Sequence, residues 1–223
     1  MSKSGLSSAR IKRLHAAARR AVEAGEVAGA ITLIHRRGET VIDVTGAKDK
    51  DTGSRLERDS IFRIASMSKP ITAAAAMILV EEGKLRLDEP VDRLLPELAG
   101  RQVLKDINGP LEDTEPAHRA ITLRDLLTFR LGFGMVLAPP GSEPPIQKAM
   151  NEHQIMGLKP PTPHAPDEWM KRLGALPLMH QPGARWMYHT GSDVLGVLIA
   201  RAADKPLESF LKERIFEPLG MKD

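Results

Sequence analysis

The sequence predicts an α+β fold in which one hairpin is followed mostly by helices. Two short runs rich in β-branched residues, 28–35 and 40–46, are separated by the turn-forming stretch 36–39. Apolar residues recur at helical spacing before this hairpin and again after residue 66. Strands and helices do not alternate along the chain, as they would in a parallel α/β protein. We therefore expect an antiparallel sheet with helices.

The first three elements follow from local signals. A helix is predicted over residues 8–25, because apolar residues recur at helical spacing and Gly25 is a typical stop. A long apolar helix is predicted from the Ser66 region to about Glu82, because Pro70 suits a first helical turn and Gly83 suits the position after the last. Residues 85–96 predict a turn that leads into a short helix.

Later elements are predicted from caps and prolines. Thr122 and Asp125 have the spacing of a capping box, so a short helix should begin there. Eight prolines in residues 134–167 predict a long irregular loop that forms a lid or the wall of a pocket. Residues 185–188 predict an extended segment, after which Ser192–Asp193 should cap a helix over 194–203.

Length and composition set the broad class of the protein. The chain has 223 residues with 42% hydrophobic content, which predicts a single domain over 1–223. Within it, 8–65 should form the N-terminal helix and hairpin, and 66–216 a mostly helical part. The chain lacks cysteine, and its seven histidines show no zinc-binding spacing, so we expect no metal and no cofactor.

The charge of the chain is nearly balanced, at a formal +3. A basic cluster near the N-terminus could indicate a nucleic-acid arm or the solvated face of an amphipathic helix. Because the cluster is short and lacks interleaved aromatics, we favour the solvated face and expect no nucleic-acid partner. No run of about 18 apolar residues and no apolar leader is visible, so we expect no membrane partner and a cytoplasmic protein. The cluster consists of Arg10, Lys12, Arg13, Arg19 and Arg20.

The stretch around Ser66 has the features of an acyl-transfer site. A serine hydroxyl is a weak nucleophile until a base lies beside it. Lys69 is three residues further on, and residues three apart share a helix face, so its amine can reach the Ser66 oxygen. A helix N-terminus also provides free N–H groups where an oxyanion would form.

The same spacing occurs a second time, at Ser209 and Lys212. About one Ser-x-x-Lys is expected by chance in a chain of this length. The second copy lies inside an amphipathic helix, where both residues are most simply surface positions. Only the first copy precedes a wholly apolar helix that could hold a nucleophile rigidly.

Five ordered blocks resemble the serine β-lactamase and penicillin-binding protein superfamily, in its class C-like branch that includes family VIII esterases. The resemblance covers about residue 8 to the end, and it implies a β-lactamase/transpeptidase-like fold, with an antiparallel sheet flanked by helices and a helical subdomain. The blocks are Ile-Ala-Ser-Met-Ser-Lys at 64–69, Gly-Lys-Leu-Arg-Leu-Asp-Glu-Pro-Val at 83–91, Ile-Thr-Leu-Arg-Asp-Leu-Leu-Thr at 121–128, Pro-Gly-Ala-Arg-Trp-Met-Tyr at 182–188 and Ile-Phe-Glu-Pro-Leu-Gly-Met at 215–221.

The resemblance implies a role for three residues. Ser66 would be the acylated nucleophile, Lys69 its activating partner, and Tyr188 the tyrosine of the second motif that shuttles the proton. Whether Lys69 or Tyr188 is the general base stays open. Without the family, Tyr188 could equally be a core or pocket-wall aromatic residue.

The sequence departs from the family around the substrate site. Thr190 stands in the second motif where an amide is usual, and Phe129 begins a Phe-Arg-Leu-Gly stretch in place of His-Thr-Ser-Gly. We expect Thr190, Phe129 and Trp186 to bind substrate. Because a hydroxyl replaces the amide, an ester substrate is favoured over a β-lactam or peptide amide.

The third motif of the family, on a strand that supplies the second oxyanion donor, has no counterpart in the sequence. The tripeptide at 189–191 abuts Tyr188, and we interpret it as coincidence. We therefore expect the C-terminal strands to be missing and the chain to be a truncated N-terminal piece. A lone hairpin with open edges could self-associate or pair with a missing C-terminal segment. Activity of this chain alone should be weak or absent.

Three functions remain after this step. The leading hypothesis is a serine hydrolase that acts through an acyl-enzyme on small carboxylic esters. The second is a β-lactamase or D-alanyl-D-alanine carboxypeptidase acting on a β-lactam-like substrate. The third is a non-catalytic or inactive truncated module of the same fold. The complete set Ser66, Lys69 and Tyr188 argues against the third.

Overall fold

A computed structural model describes residues 4–139, 141–156 and 162–222. The chain groups into two units, Met1–Arg63 and Ile64–Asp223. Every residue proposed for the active site belongs to the second unit.

The first unit contains a helix and a β-hairpin. The helix, α1 (Ser8–Glu23), precedes strands β1 (Gly29–Arg36) and β2 (Glu39–Gly46), which pair antiparallel along their whole length. The two residues between the strands, Arg37 and Gly38, both have positive φ, at 48° and 79°. Two successive positive φ values are typical of the tight hairpin turn that matches strand twist. The predicted helix and hairpin are confirmed.

The second unit is mostly helical. Its strands are only three residues each, too short to give an alternating pattern, and the sequence did not reveal them. Its elements are α2 (Ser68–Glu81), β3 (Gln102–Leu104), β4 (Thr114–Pro116), α3 (Leu123–Leu127), α4 (Pro145–Glu152), α5 (Pro166–Ala175), α6 (Thr190–Ala203) and α7 (Leu207–Leu211). Strands β3 and β4 pair antiparallel.

Helices α2 and α6 form the centre of the core of this unit. Ala75, Ala76 and Leu79 of α2 are fully buried, and so are Val194 and Leu198 of α6. Small alanine side chains allow the two helices to approach closely. The packing matters for the site, because α2 begins just after Ser66 and α6 begins just after Tyr188.

The end of α2 follows the sequence prediction. Gly83 has φ +71°, and its N–H donates to the carbonyl of Val80, while the N–H of Lys84 donates to the carbonyl of Leu79. These two bonds form a Schellman motif, which requires a left-handed residue that glycine adopts without strain. The predicted stop at Gly83 is confirmed.

Three predicted elements differ in the structure. Helix α6 begins at Thr190, before the predicted Ser192–Asp193 cap. Residues 85–95 form turns and irregular backbone. A 3₁₀ turn at Pro96–Leu98 takes the place of the predicted short helix. The proline-rich stretch contains helix α4, because Pro145 lies at the first helical position, where a missing N–H costs nothing. Prolines in this stretch therefore lie at the starts of helices α4 and α5.

The lengths and composition of the helices bear on membrane insertion. Within the described ranges, no helix combines the length and the apolar character that crossing a bilayer demands.

Candidate active site

Ser66 lies at the entrance to helix α2. It is the middle residue of a 3₁₀ turn, Ala65–Met67, that leads directly into the helix, and its side chain is exposed. Ala65 has φ +43°, an uncommon value for a residue with a Cβ atom. The turn thus presents the Ser66 hydroxyl outward, on a support that the buried helix holds fixed.

Lys69 provides an ionisable group next to this hydroxyl. Its Nζ donates a hydrogen bond to Ser66 Oγ at 3.0 Å. The predicted reach across one helical turn is therefore present in the structure. At the second Ser-x-x-Lys, Ser209 lies in α7, while exposed Lys212 lies 3.9 Å from Glu217 as an ion pair.

Tyr188 completes the group. The Lys69 Nζ, which is bonded to Ser66, lies 4.9 Å from the centre of the Tyr188 ring. The pKa of Tyr188 is lowered, first by the hydrogen bond with Ser66 and then by the positive charge of Lys69, although desolvation opposes the shift. A phenol with a lowered pKa is better suited to accept a proton near neutral pH.

The aromatic residues predicted for substrate binding lie around Tyr188. The ring centres of Phe129 and Trp186 are each 5.7 Å from that of Tyr188, and 6.1 Å from each other. The backbone connects them as well, since the Met187 N–H donates to the Phe129 carbonyl at 2.8 Å. Trp186 is 61% exposed, so this aromatic cluster offers an apolar surface beside Ser66.

Thr190 is the one predicted binding residue that the structure does not bring to the open site. It is the first residue of α6 and is 0% exposed. Its hydroxyl lies 3.9 Å from the sulfur of Met156. A direct contact between Thr190 and a substrate would require the start of this helix to move.

A cavity of about 790 Å³ opens next to Ser66 and Lys69. Its walls come from α2, α5, α6, α7 and the segment before α5, which includes part of the proline-rich stretch predicted to form a pocket wall. Apolar side chains form much of the wall, including Ile155, Trp169, Val197 and Leu207. A volume of this size accommodates a small organic substrate.

Two residues of the cavity wall were missed by the sequence analysis. His189 Nε2 lies 3.6 Å from Asp193 Oδ2, and both residues line the cavity. Their spacing, four residues apart at the start of a helix, was a signal that could have identified them as a pair. Within residues 4–139, 141–156 and 162–222, no cluster of three or more His, Asp or Glu is arranged to hold a metal ion.

Comparison with known proteins agrees with this geometry. A relative from Mycobacterium tuberculosis, named Protein Rv1367c, is 43% identical over 209 residues. Esterase EstB from Burkholderia gladioli is 33% identical over 215 residues. The matches cover 93% and 95% of this chain but 50% of each relative, so the chain spans about half the length of these curated relatives.

A solved structure is similar to this chain in fold. The protein described as "EstCE1, a hydrolase with promiscuous acyltransferase activity" superposes with a TM-score of 0.81 at 26% identity, over 95% of this chain and 52% of that one. The predicted fold class and the resemblance to serine β-lactamases are confirmed. The β-lactamase family model matches residues 14–223, and the chain therefore belongs to the β-lactamase family.

Proposed function

We propose that Ser66 performs acyl transfer on small carboxylic esters through a covalent acyl-enzyme. The observation that carries the proposal is the hydrogen bond of 3.0 Å between Lys69 Nζ and Ser66 Oγ, with the centre of the Tyr188 ring 4.9 Å from the same Lys69 nitrogen. A serine held between two such groups has partners for both loss and return of a proton.

The first step transfers the acyl group to the enzyme. Ser66 Oγ loses its proton to Tyr188 or Lys69 and forms a bond with the ester carbonyl carbon, so the carbonyl π electrons move onto oxygen. The Ser66 N–H, near the start of helix α2, would donate to that oxyanion. When the tetrahedral intermediate collapses, the bond to the alcohol oxygen breaks, and the proton returns to the leaving alcoholate.

The second step removes the acyl group from Ser66. A water molecule, or a second alcohol, gives its proton to the same base and attacks the acyl-enzyme carbonyl. The bond to Ser66 Oγ then breaks, and the serine takes the proton back. Water yields a carboxylic acid and an alcohol yields a new ester, so hydrolase and acyltransferase activities differ only in which nucleophile enters.

The residues around Ser66 favour an ester substrate. An apolar cavity and an aromatic cluster favour uncharged acyl and alcohol groups. With Thr190 buried, the second motif presents no side-chain amide to recognise a lactam or peptide. Relatives named esterase support this choice over a β-lactamase or carboxypeptidase activity. The cytoplasmic location expected from the sequence remains a prediction.

The test is covalent labelling of the 223-residue chain with a serine-reactive alkyl phosphonate, followed by intact mass. We expect one adduct on the unmodified chain, and its loss in Ser66→Ala. Labelling should be slower by about 10²–10⁴-fold in Lys69→Ala, because proton transfer by a positioned group contributes about that much.

The second Ser-x-x-Lys supplies the matched control. Ser209→Ala and Lys212→Ala remove the same residue types at the same spacing, and both should label like the unmodified chain. An adduct that survives in Ser66→Ala, or that Ser209→Ala removes, contradicts the assignment. Absence of any adduct on the folded chain would favour the non-catalytic alternative.

A further inference from the structure

The backbone at His189 adopts a conformation that requires an explanation. Its φ and ψ are +88° and −75°, close to the rare γ-turn with positive φ. A residue with a Cβ atom is strained there, and such a conformation persists only when surrounding contacts enforce it. His189 directly follows Tyr188 and directly precedes helix α6, so the turn determines how the tyrosine is presented.

Both neighbours of His189 are anchored. The Tyr188 carbonyl accepts a hydrogen bond from the Met135 N–H at 2.9 Å. Thr190, on the other side, is fully buried at the start of α6. The chain must therefore turn sharply within the single residue His189 to connect the two.

The side chain of His189 is connected to the helix that follows. Its Nε2 lies 3.6 Å from Asp193 Oδ2, one helical turn further on, and the imidazole is only 17% exposed. The ring also contacts Tyr188, with ring centres 6.1 Å apart. Burial raises the pKa of Asp193, and the nearby His189 and Lys69 oppose that rise. The pair thus connects the strained residue to α6 and lies near the charged Lys69.

We propose that His189 and Asp193 are positioning residues whose pairing holds the strained turn and so keeps Tyr188 beside Lys69 and Ser66. The effect of this pair on catalysis rests on the proposed function. Its effect on the position of Tyr188 is independent of that function, because the position can be measured without any substrate.

The sequence offers a direct readout of that placement. Tyr188 is the only tyrosine in the chain, so the near-ultraviolet absorbance of tyrosinate reports the ionisation of this one side chain. Contact with Ser66 and Lys69 lowers its pKa, and displacement from them should return the pKa toward the ordinary value of about 10. Further ionisable groups on the cavity wall are His164 and Glu208, which stay unchanged in every variant below.

Three variants separate the steps of the argument. His189→Ala removes the imidazole but keeps the strained Cβ, and Asp193→Asn removes the charge. In both, the pKa of Tyr188 should rise, and phosphonate labelling of Ser66 should slow by about 10- to 100-fold through misplacement. His189→Gly also removes the imidazole but adopts positive φ without strain. The Tyr188 pKa and the Ser66 labelling rate of His189→Gly should therefore be closer to those of the unmodified chain than the values of His189→Ala are.

An exposed pair of the same kind provides the control. His118 Nε2 lies 3.7 Å from Glu115 Oε1, so His118→Ala and Glu115→Gln remove a comparable contact. Neither should change the Tyr188 titration. Circular dichroism confirms folding, and Asp193→Asn, at a side chain 48% exposed, serves if His189→Ala does not fold.

The proposal is overturned if His189→Ala or Asp193→Asn, once folded, titrates like the unmodified chain. It is also overturned if the Tyr188 pKa of His189→Gly differs more from that of the unmodified chain than the pKa of His189→Ala does. Relief of backbone strain would then not restore the position of Tyr188. A chain that shows the expected titration shifts but no Ser66 adduct would refute the proposed function and leave the positioning role intact.

Discussion

At the residue scale, the proposed reactivity of Ser66 depends on which neighbour would accept its proton. Lys69 and Tyr188 both contact the serine, and the sequence left the choice between them open. The structure adds that the pKa of Tyr188 is lowered by its hydrogen bond with Ser66 and by the charge of Lys69. This shift makes the phenolate available at a lower pH than in an ordinary tyrosine.

A pH profile of Ser66 labelling tests this role of Tyr188. The phenolate accepts a proton and the phenol does not, so the rate should rise with pH and level off below the usual tyrosine pKa of about 10. Tyr188→Phe should lower the rate and remove that rise. If Tyr188→Phe keeps the same rise, the ionisation of another group controls the reaction and the role of Tyr188 is refuted.

The three residues proposed for the site were brought together by different signals in the sequence. Ser66 and Lys69 were predicted from local spacing, because one helical turn determines their distance. Tyr188 is far away in the chain, so only the family resemblance connected it to Ser66. The burial of Thr190 could not be foreseen, because it depends on where α6 begins and on its contact with Met156.

At the element scale, local hydrogen bonds account for the elements that the sequence predicted well. Thr122 accepts a bond from the Asp125 N–H, and the Asp125 carboxylate accepts one from the Thr122 N–H at 2.9 Å. This is the predicted capping box of α3. Helix α4 and the early start of α6 were missed because prolines and tertiary burial, rather than periodicity, define them.

Thr122→Ala tests the contribution of this cap. Loss of an N-cap hydroxyl should lower the free energy of unfolding by about 1 kcal/mol, within a range of about 0.5–2 kcal/mol. Thr128→Ala, which removes an exposed threonine hydroxyl bonded to the Arg124 carbonyl, should stay within about 0.5 kcal/mol. Equal effects of the two changes in urea unfolding would contradict a specific capping role.

Acid should weaken the same cap. Burial disfavours the charged form of Asp125, but hydrogen bonds from Arg119 and Thr122 outweigh it and lower its pKa. A carboxyl with a lowered folded-state pKa stabilises the fold above its unfolded pKa of about 3.9 and loses that contribution as pH falls through the folded value. The difference between Thr122→Ala and the unmodified chain should therefore shrink in acid.

At the scale of the whole molecule, the apolar pattern predicted the fold class because most of the core comes from periodic helices. A buried charged residue such as Arg101 cannot be recognised from apolar periodicity. Its guanidinium donates to the carbonyls of Leu173, Gly174 and Leu176 at the end of α5. Burial lowers its pKa to about 10. Contacts of this kind depend on the finished packing, so no local signal in the sequence indicates them.

The central claim concerns one covalent bond, and trapping it is the most direct test. The chain would be mixed with an activated ester of a short carboxylic acid, quenched in acid at short times, and analysed by intact mass and peptide mapping. We predict a mass increase equal to one acyl group, located on Ser66 and absent from Ser66→Ala. Acylation elsewhere, or none on a chain whose Ser66 reacts with phosphonate, would contradict an acyl-enzyme mechanism.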